Sequence, residues 1–293
     1  MDSGALVTLL SDDYLLEIDA GRGGSIARFE WRGAPLFRPT CGPSILDSAC
    51  FPLVPFSNRV AHGRFDWDGR SVALAPNFPG SDHPHPLHGM GWLSAWTLSR
   101  IDRASATLSH FHPAGAWPWA YRARQYMRLD AQGFEHRLRL TNLSPEPMPA
   151  GLGFHPYFPQ TDATIYRGFH FGEWTSDHEG LPVRLHRRQR AHDWWLGQPV
   201  AARHVDTVYA DRQGSLLIEW PERRLKLAIQ PCAELVDTVV YTPKDADFFC
   251  AEPVSHATDA LNRLGTPGIR RLETGESFEV FVRYRATMDG ANG

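Results

Sequence analysis

Apolar and polar residues alternate with a period of two along much of this 293-residue chain. In FEHRLRLT (residues 134–141), the apolar side chains and His136 fall on one face, and charged or polar side chains fall on the other. YRARQYMRLD (residues 121–130) and SFEVFVRYRA (residues 277–286) show the same alternation. Because successive side chains of a β-strand point to opposite faces, the pattern predicts half-buried strands.

Further short segments have strand character, and Gly, Pro, Asn and Asp separate them at short intervals. They are YLLEID (14–19), SIARFEW (25–31), WTLSRID (96–102), SATLSHF (105–111), LLIEW (216–220) and LKLAIQ (225–230). SHATDALNRL (255–264) is a modest helix candidate. Many short strands and almost no helix predict an all-β fold, in the form of a large antiparallel sandwich or barrel.

The chain is long for one domain, but β-sandwiches and barrels reach this length. We find no repeat of fixed period, low-complexity tract or clear linker, and therefore predict a single domain spanning residues 1–293. The Pro- and Gly-rich stretches 76–91 and 143–159 contain aromatic residues and histidines. We interpret them as ordered functional loops rather than linkers.

Charge and cysteine content narrow the class of protein. A formal net charge of −3 gives no reason to expect nucleic acid or an anionic membrane surface as a partner. The four cysteines form no CxxC pair, which argues against a zinc ribbon or a dense disulfide scaffold. Reduced thiols in the cytoplasm are the simplest interpretation. The N-terminus lacks a basic signal-peptide region, and no apolar run approaches membrane-spanning length.

The stretch SDHPHPLHGMGW (81–92) places three histidines close together, at positions 83, 85 and 88. A metal site is the less favoured interpretation, because two prolines break regular geometry and no carboxylate or cysteine follows at a familiar ligand spacing. A pocket loop suits His88 and Gly89 better, with Trp92 offering a flat apolar face. GMGW does not complete a dinucleotide-binding GxGxxG motif.

Two further residues are candidates for proton transfer. His155 lies in AGLGFHPYFP (150–159), where small and rigid neighbours could fix its ring; a packed core histidine with one structural partner is the alternative. Glu252 follows an apolar run in DFFCAEP, where burial would raise its pKa toward the range useful for a general base. Its alternative is a solvent-exposed glutamate at a strand end.

Two other polar clusters have ordinary interpretations when taken alone. Asn58 and Arg59, in PFSNRVAHGRFDWDG (55–69), fit a hairpin with a surface arginine. Asp206, in HVDTVYADR (204–212), fits a turn aspartate.

Taken in order, NRV, GRF, PLHG, GLGFHPYF, DTVY and AEP with DALN resemble the aldose 1-epimerase (mutarotase) family. The likeness spans nearly the whole chain and includes the opening GGSIARFEWRGAPLF. The resemblance implies a large antiparallel β-sandwich that interconverts the α and β anomers of an aldose. It also implies that no organic cofactor or catalytic metal is needed.

Carried over residue by residue, the resemblance makes Glu252 the general base and His155 the general acid. It makes His88, Asp206 and Arg59 sugar-binding residues, with Asn58 beside Arg59. Trp92, Trp117 and Trp119 are candidates for the apolar face of a sugar. Such a reaction would place acid and base on opposite sides of one sugar, each with a pKa near the working pH.

The chain departs from the family pattern at two points. Phe154 and Pro156 flank His155 where the galactose-type motif has Asn-His-Thr character, which indicates a divergent bacterial branch and leaves the substrate open. DTVY matches the family's aspartate segment only loosely, and Asp237 begins a second DTV, so Asp206 and Asp237 remain alternatives.

The leading hypothesis is therefore a mutarotase that acts on a free monosaccharide. A hexose-6-phosphate mutarotase and a non-catalytic carbohydrate-binding protein are the alternatives. A glycosidase is less favoured, because its mechanism requires a pair of carboxylates across the scissile bond. Only Glu252 lies in a sequence context that favours a catalytic carboxylate. The sequence leaves the oligomeric state open.

Overall fold

The structure is a computed structural model that describes residues 6–187 and 191–288. It is dominated by strands, as the period of two predicts. They are β1 (Val7–Ser11), β2 (Tyr14–Asp19), β3 (Ser25–Trp31), β4 (Ala34–Pro35), β5 (Cys50–Leu53), β6 (Arg64–Trp67), β7 (Arg70–Ala73), β8 (Thr97–Ile101), β9 (Ser105–His112), β10 (Tyr121–Asp130), β11 (Gly133–Asn142), β12 (Met148–Ala150), β13 (Gly153–Pro159), β14 (Ile165–Ser176), β15 (Pro182–Arg187), β16 (Gln198–Pro199), β17 (Asp206–Trp220), β18 (Leu225–Pro231), β19 (Asp237–Tyr241), β20 (Phe248–Val254), β21 (Arg270–Leu272) and β22 (Ser277–Met288).

The helical elements in the described ranges are single 3₁₀ turns. They are Ile45–Asp47, Ala61–Gly63, Gly91–Leu93, Ala191–Trp194, Val200–Ala202, Pro221–Arg223 and Ala260–Asn262. None of these short turns has the length or the apolar character needed to cross a membrane.

The helix expected at 255–264 is wrong, since only Ala260–Asn262 forms a helical turn there. Asp259 adopts a φ of 56°, which interrupts a right-handed helix. The Ser255 amide donates to the Leu152 carbonyl instead of to a helical neighbour. Contacts with a distant loop therefore override the local preference.

Most strands join one 18-stranded sheet, and the strand pairings within it are antiparallel across the described residues. The predicted alternation is confirmed on β10, β11 and β22, where every second side chain is buried. These inward side chains form a large core in which Phe29, Phe134 and Tyr284 pack ring against ring. The all-β antiparallel architecture is confirmed.

Five strands of this sheet determine the position of the candidate site. Their order is β17, β19, β20, β13 and β5, each paired with the next. The stretch 143–159, expected as a loop, instead supplies β12 and β13. By contrast, residues 76–91 contain no strand, in agreement with the expected loop.

Candidate active site

A cleft of about 170 Å³ opens over these strands. Its walls come from the strands and from loops that pack on them. The lining residues are Leu46, Asn58, Arg59, Phe78, Leu87, His88, His155, Tyr157, Asp206, Val239, Tyr241 and Glu252. The structure thus brings six of the residues named from the sequence into one cleft.

His155 and Glu252 form the most buried polar pair of the cleft. His155 lies on β13 and Glu252 on β20, and the antiparallel register on either side of them places the two residues opposite each other. The His155 Nε2 atom lies 3.2 Å from the Glu252 Oε1 atom. The two residues are only 7 % and 2 % exposed, respectively. The candidate acid and base are therefore in direct contact.

Two aromatic rings fix the plane of the His155 imidazole. The Phe51 ring stacks on it with centroids 4.5 Å apart, and the Tyr157 ring stacks on it at 4.8 Å. Phe51 is the cross-strand partner of His155 on β5. Since parallel ring contacts restrict rotation of the imidazole, its Nε2 stays directed at Glu252.

Burial is the main cause of the shifted pKa values of His155 and Glu252. It raises the pKa of the Glu252 carboxyl well above its usual range, and the nearby Asp206 carboxylate raises that pKa further. Burial lowers the pKa of His155 to about 3. The Glu252 Oε2 atom has no hydrogen-bond partner within the described residues. The two groups consequently hold one proton between them over a wide pH range.

Asn58, Arg59 and Asp206 form a polar network beside the pair. The Arg59 guanidinium donates from Nη2 to Asp206 Oδ2 at 3.2 Å and from Nη1 to Asn58 Oδ1 at 3.1 Å. The Asn58 side chain also accepts the Arg59 backbone N–H. Asn58 therefore holds Arg59 in place, while Arg59 and Asp206 reach the cleft.

His88 is a neutral hydrogen-bond donor in this site. Its Nδ1 atom accepts the backbone N–H of Asn58 at 3.1 Å, so the ring proton resides on Nε2. Burial lowers the pKa of His88 well below its usual value, and the neighbouring His155 and Arg59 lower it further. Because His88 lines the cleft, its Nε2–H is the group available to an oxygen of a ligand.

The three tryptophans proposed as sugar-binding faces do not line the cleft. Trp92, Trp117 and Trp119 are at most 1 % exposed, and the last two lie in the main core. The Trp92 indole packs edge to face behind His88 and donates to the carbonyls of Leu87 and Gly89. Its ring thus supports the loop from behind, and the expectation of an exposed sugar-binding face is wrong.

Gly89 has a structural role in the loop that carries His88. Its φ is +70°, and a Cβ atom there would lie 2.3 Å from the Val54 carbonyl oxygen. The glycine thus allows the loop to lie against the backbone at Val54 rather than against a ligand.

The structure distinguishes the two alternative aspartates by their positions relative to the cleft. Asp206, at the start of β17, lines the cleft. Asp237, at the start of β19, lies outside the lining set and accepts the backbone N–H of Asp211. Burial raises the pKa of Asp237 to about 7. Asp206 is therefore the aspartate available to a ligand.

The histidine cluster of the sequence does not converge on one point. His83 Nε2 accepts from Arg59, His85 Nδ1 accepts the His62 backbone N–H, and His88 Nδ1 accepts from Asn58. The described residues hold one group whose donor atoms lie within 4.8 Å of one another: His155, Cys250 and Glu252. Burial raises the pKa of the Cys250 thiol well above its usual value, so a cation there would have to displace its proton.

Sequence reasoning missed several lining residues. Tyr157 is two residues after His155 on the same strand, so the period of two could have placed it on the same face. Tyr241 is the cross-strand partner of Asp206, and this pairing has no signal in the sequence. Phe78, in the irregular loop, likewise carries no local signal.

Comparison with known proteins relates the whole chain to a family. A model of the aldose 1-epimerase family matches residues 21–285. The uncharacterised protein YphB of Escherichia coli K12 is 32% identical over 279 residues, covering 89% of this chain and 92% of YphB. The uncharacterised protein YihR of the same organism is 23% identical over 292 residues, covering 95% of this chain and 92% of YihR.

Solved structures share the fold. The crystal structure of a candidate aldose 1-epimerase from E. coli K12 superposes with a TM-score of 0.90 at 30% identity, covering 97% of this chain and 99% of that one. A galactose mutarotase-like protein from Clostridium acetobutylicum gives a TM-score of 0.85 at 16% identity, covering 97% of this chain and 95% of that one. The second likeness shows the fold alone.

Proposed function

The chain belongs to the aldose 1-epimerase family, and from this premise we propose that it interconverts the α and β anomers of a neutral aldose. One observation supports the proposal above the others. A buried imidazole and a buried carboxyl group contact each other at 3.2 Å inside a cleft lined with hydrogen-bonding groups. Ring opening of a sugar needs this combination of an acid and a base.

In the proposed reaction, the Glu252 carboxylate removes the proton from the anomeric hydroxyl. The His155 imidazolium donates its proton to the ring oxygen. The bond between C1 and the ring oxygen breaks, and the C1 carbonyl forms with the electron pair of the O–H bond. After rotation about C1–C2, the reverse transfers close the ring on the other face of the aldehyde, and both residues regain their starting protonation.

Direct contact between the two residues suits this chemistry, although opposite sides of the sugar were expected. The anomeric oxygen and the ring oxygen are bonded to the same carbon, so the two proton transfers take place close together. A neighbouring acid and base can therefore serve both oxygens. The reactive form is the ion pair, which differs from the neutral pair only in the position of one proton.

The other cleft residues have roles in binding. His88 Nε2–H donates to a sugar oxygen, Asp206 accepts from a hydroxyl, and Arg59 donates beside it. Asn58 positions Arg59 and His88. Tyr157 and Tyr241 present ring surface and hydroxyl groups to the substrate; burial raises the pKa of each, so both are neutral donors near pH 7. Trp92 supports His88 from behind.

The charges around the cleft favour a neutral sugar over a hexose 6-phosphate. Arg59 is the cation that lines the cleft among the described residues, and it is already paired with Asp206. The Asp206 carboxylate would repel a phosphate dianion. A phosphate site usually presents several convergent donors with free charge.

The test is anomer equilibration followed by polarimetry or NMR for glucose, galactose, arabinose and glucose 6-phosphate. We expect the enzyme to accelerate at least one neutral aldose with a higher kcat/KM than its 6-phosphate. A strong preference for the phosphate that weakens as salt rises would identify an electrostatic phosphate site instead.

We also propose a cytoplasmic location. The four cysteines are free thiols, and Cys50, Cys232 and Cys250 are buried. Free thiols are typical of a reducing compartment.

A further inference from the structure

The segment that carries Arg59 is not held in place by the register of a strand. Residues 54–63, which the structure describes throughout, connect β5 to β6 through isolated bridges and a 3₁₀ turn and form no strand. His155, Glu252 and Asp206, by contrast, lie on strands of the main sheet. Other contacts must therefore fix the position of Arg59 in the cleft.

Side chains from outside a sheet ladder accept most of the backbone N–H groups of residues 57–62. The acceptors are His256 Nε2 for Ser57, His88 Nδ1 for Asn58, Asn58 Oδ1 for Arg59, Asp259 Oδ1 for Ala61 and His85 Nδ1 for His62. His256 and Asp259 both lie directly after β20, the strand that carries Glu252. The chain that bears the proposed base thus continues into residues that bind the backbone around Arg59.

His256 is well placed to accept the Ser57 N–H. Its Nε2 atom accepts this group at 3.1 Å, while its Nδ1 atom donates to the Ala257 carbonyl at 2.8 Å. Burial lowers the pKa of His256 to about 4, so the ring is neutral and Nε2 remains an acceptor near pH 7. A Cβ atom at Gly151 would lie 2.2 Å from His256 Nε2. Gly151 therefore leaves the space that this imidazole occupies.

Asp259 binds the same segment on the other side of Arg59. Its Oδ1 atom accepts the Ala61 N–H at 2.8 Å, and its backbone N–H donates to the Arg59 carbonyl at 3.0 Å. Asp259, Asn58 and His62 have φ angles of 56°, 58° and 48°. Such conformations are unfavourable for residues other than glycine, and they persist where surrounding contacts impose them, often at functional sites.

We propose that His256 and Asp259 are positioning residues that hold Arg59 in the orientation that binds the sugar. This inference deepens the proposed mutarotase function and rests on it. Neither residue is among the described residues that line the cleft, so both act through the backbone of residues 57–61. Because Arg59 is assigned to binding, a loosened segment should weaken binding of the substrate and of the transition state alike, which raises KM and leaves kcat nearly unchanged.

The experiment compares disruptive with conservative variants of these residues. His256→Leu removes the acceptor for Ser57, whereas His256→Gln supplies an amide oxygen in its place. Asp259→Ala removes the acceptor for Ala61, whereas Asp259→Asn keeps Oδ1 and tolerates a positive φ. Gly151→Ala adds a methyl group where the His256 ring lies.

Two variants outside the cleft serve as matched controls. His170→Leu removes another fully buried histidine, whose Nε2 atom lies 3.0 Å from Thr238 Oγ1. Gly115→Ala adds a methyl group where the nearest neighbouring atom lies 4.0 Å away. Each variant is measured by anomer equilibration of the best neutral aldose and by the Arg59 Nε–H resonance in ¹H–¹⁵N NMR spectra.

We expect KM to rise about tenfold in His256→Leu, Asp259→Ala and Gly151→Ala, since each loses a hydrogen bond that fixes the Arg59 segment. Their kcat should stay within about threefold of the wild-type value. The Arg59 resonance should shift or broaden in the same variants. His256→Gln, Asp259→Asn and both controls should keep the wild-type KM and the wild-type resonance. If His256→Leu does not fold, Asp259→Ala carries the comparison, since Asp259 is only partly buried.

Several results would overturn the inference. A fall in kcat at unchanged KM would show that these residues do not act through binding by Arg59. An equal rise of KM in His170→Leu would assign the effect to general loss of stability. An unchanged Arg59 resonance in the disruptive variants would refute the positioning role whatever their activity. If the wild-type protein equilibrates no aldose, the proposed function fails, and the Arg59 resonance alone decides whether His256 and Asp259 position this side chain.

Discussion

The His155 Nε2 atom lies 3.2 Å from the Glu252 Oε1 atom, and the two side chains share a floor that solvent barely reaches. This contact results from the pairing of β13 with β20, which places the two residues opposite each other. The Phe51 and Tyr157 rings hold the imidazole in plane. We infer that acid and base operate as one unit with one mobile proton.

A unit of this kind predicts a pH profile that lacks the acidic limb of an ordinary histidine. Burial lowers the pKa of His155 to about 3 and raises that of Glu252, so the pair gains a second proton only in strong acid and loses its last one only above the usual range of a carboxyl group. We expect kcat/KM, corrected for uncatalysed mutarotation, to show no histidine inflection between about pH 5 and pH 8. An acidic limb centred near 6.5 would contradict a shared proton.

Trp92→Phe tests whether this ring supports the loop or contacts the sugar. The variant loses the indole donor to the Leu87 and Gly89 carbonyls, so we expect the free energy of unfolding to fall by about 1–3 kcal/mol. The KM should change little. Trp67→Phe, which loses a donor to Pro147 outside the cleft, is the matched control. Unchanged stability with a raised KM would indicate stacking on the sugar.

Buried neutral histidines predict loss of stability in acid. Burial lowers the pKa of His136, His155 and His170 to about 3 and that of His256 to about 4. The unfolded chain therefore binds more protons below about pH 6.5, and each of these histidines costs up to about 1.4 kcal/mol per pH unit as the pH falls. The raised pKa values of Asp237 and Glu252 act in the opposite direction, so these two carboxyl groups offset part of the effect of the four histidines.

His136→Gln isolates one of these contributions. The His136 Nε2 atom lies 2.8 Å from Gln125 Oε1 in the core. The side-chain amide of a glutamine at position 136 can form this hydrogen bond in place of the imidazole. The free energy of unfolding, measured with denaturant between pH 7 and pH 5, should depend less steeply on pH than in the wild-type protein. The difference in slope should correspond to about one proton. His204→Gln, at an exposed position, serves as the control and should leave the slope unchanged. An unaltered slope in His136→Gln would refute the assignment.

Chelation tests the prediction that no metal is required. Prolonged dialysis against a chelator should leave the mutarotase rate unchanged, and Cys250→Ala should keep near-normal turnover because the proposed proton transfers do not use the thiol. Loss of activity that one specific divalent ion restores would instead assign a metal to His155, Cys250 and Glu252, whose donor atoms are close enough to share a cation.

The sequence predicted the fold well because the period of two is a local property of each strand. On β10, the alternation from Tyr121 to Leu129 alone indicates which side chains are buried, and the structure agrees. The helix prediction for residues 255–264 was wrong because the Ser255 amide donates to the carbonyl of Leu152, which is far away in the sequence. No local pattern encodes such a contact.

In the candidate site, too, local sequence patterns predicted some features, and contacts between distant segments determined the others. His155 and Glu252 could be named from their neighbours in the chain, but their direct contact depends on the register of two distant strands. The burial of Trp92 behind His88 could not be predicted from the sequence either. A tryptophan in a loop is as compatible with a ligand-binding surface as with a supporting position in the core. The sequence thus indicated the groups, and strand pairing determined their geometry.

The most direct measurement is the rate of anomer exchange at equilibrium, followed by NMR on the best neutral aldose for the wild-type protein, Glu252→Gln and His155→Asn. General acid–base catalysis contributes about 10²–10⁴-fold, so each variant should lose at least about 10²-fold in kcat while unfolding at a temperature close to that of the wild-type protein. Near-normal exchange in either folded variant would contradict the assignment of the acid and base to this pair.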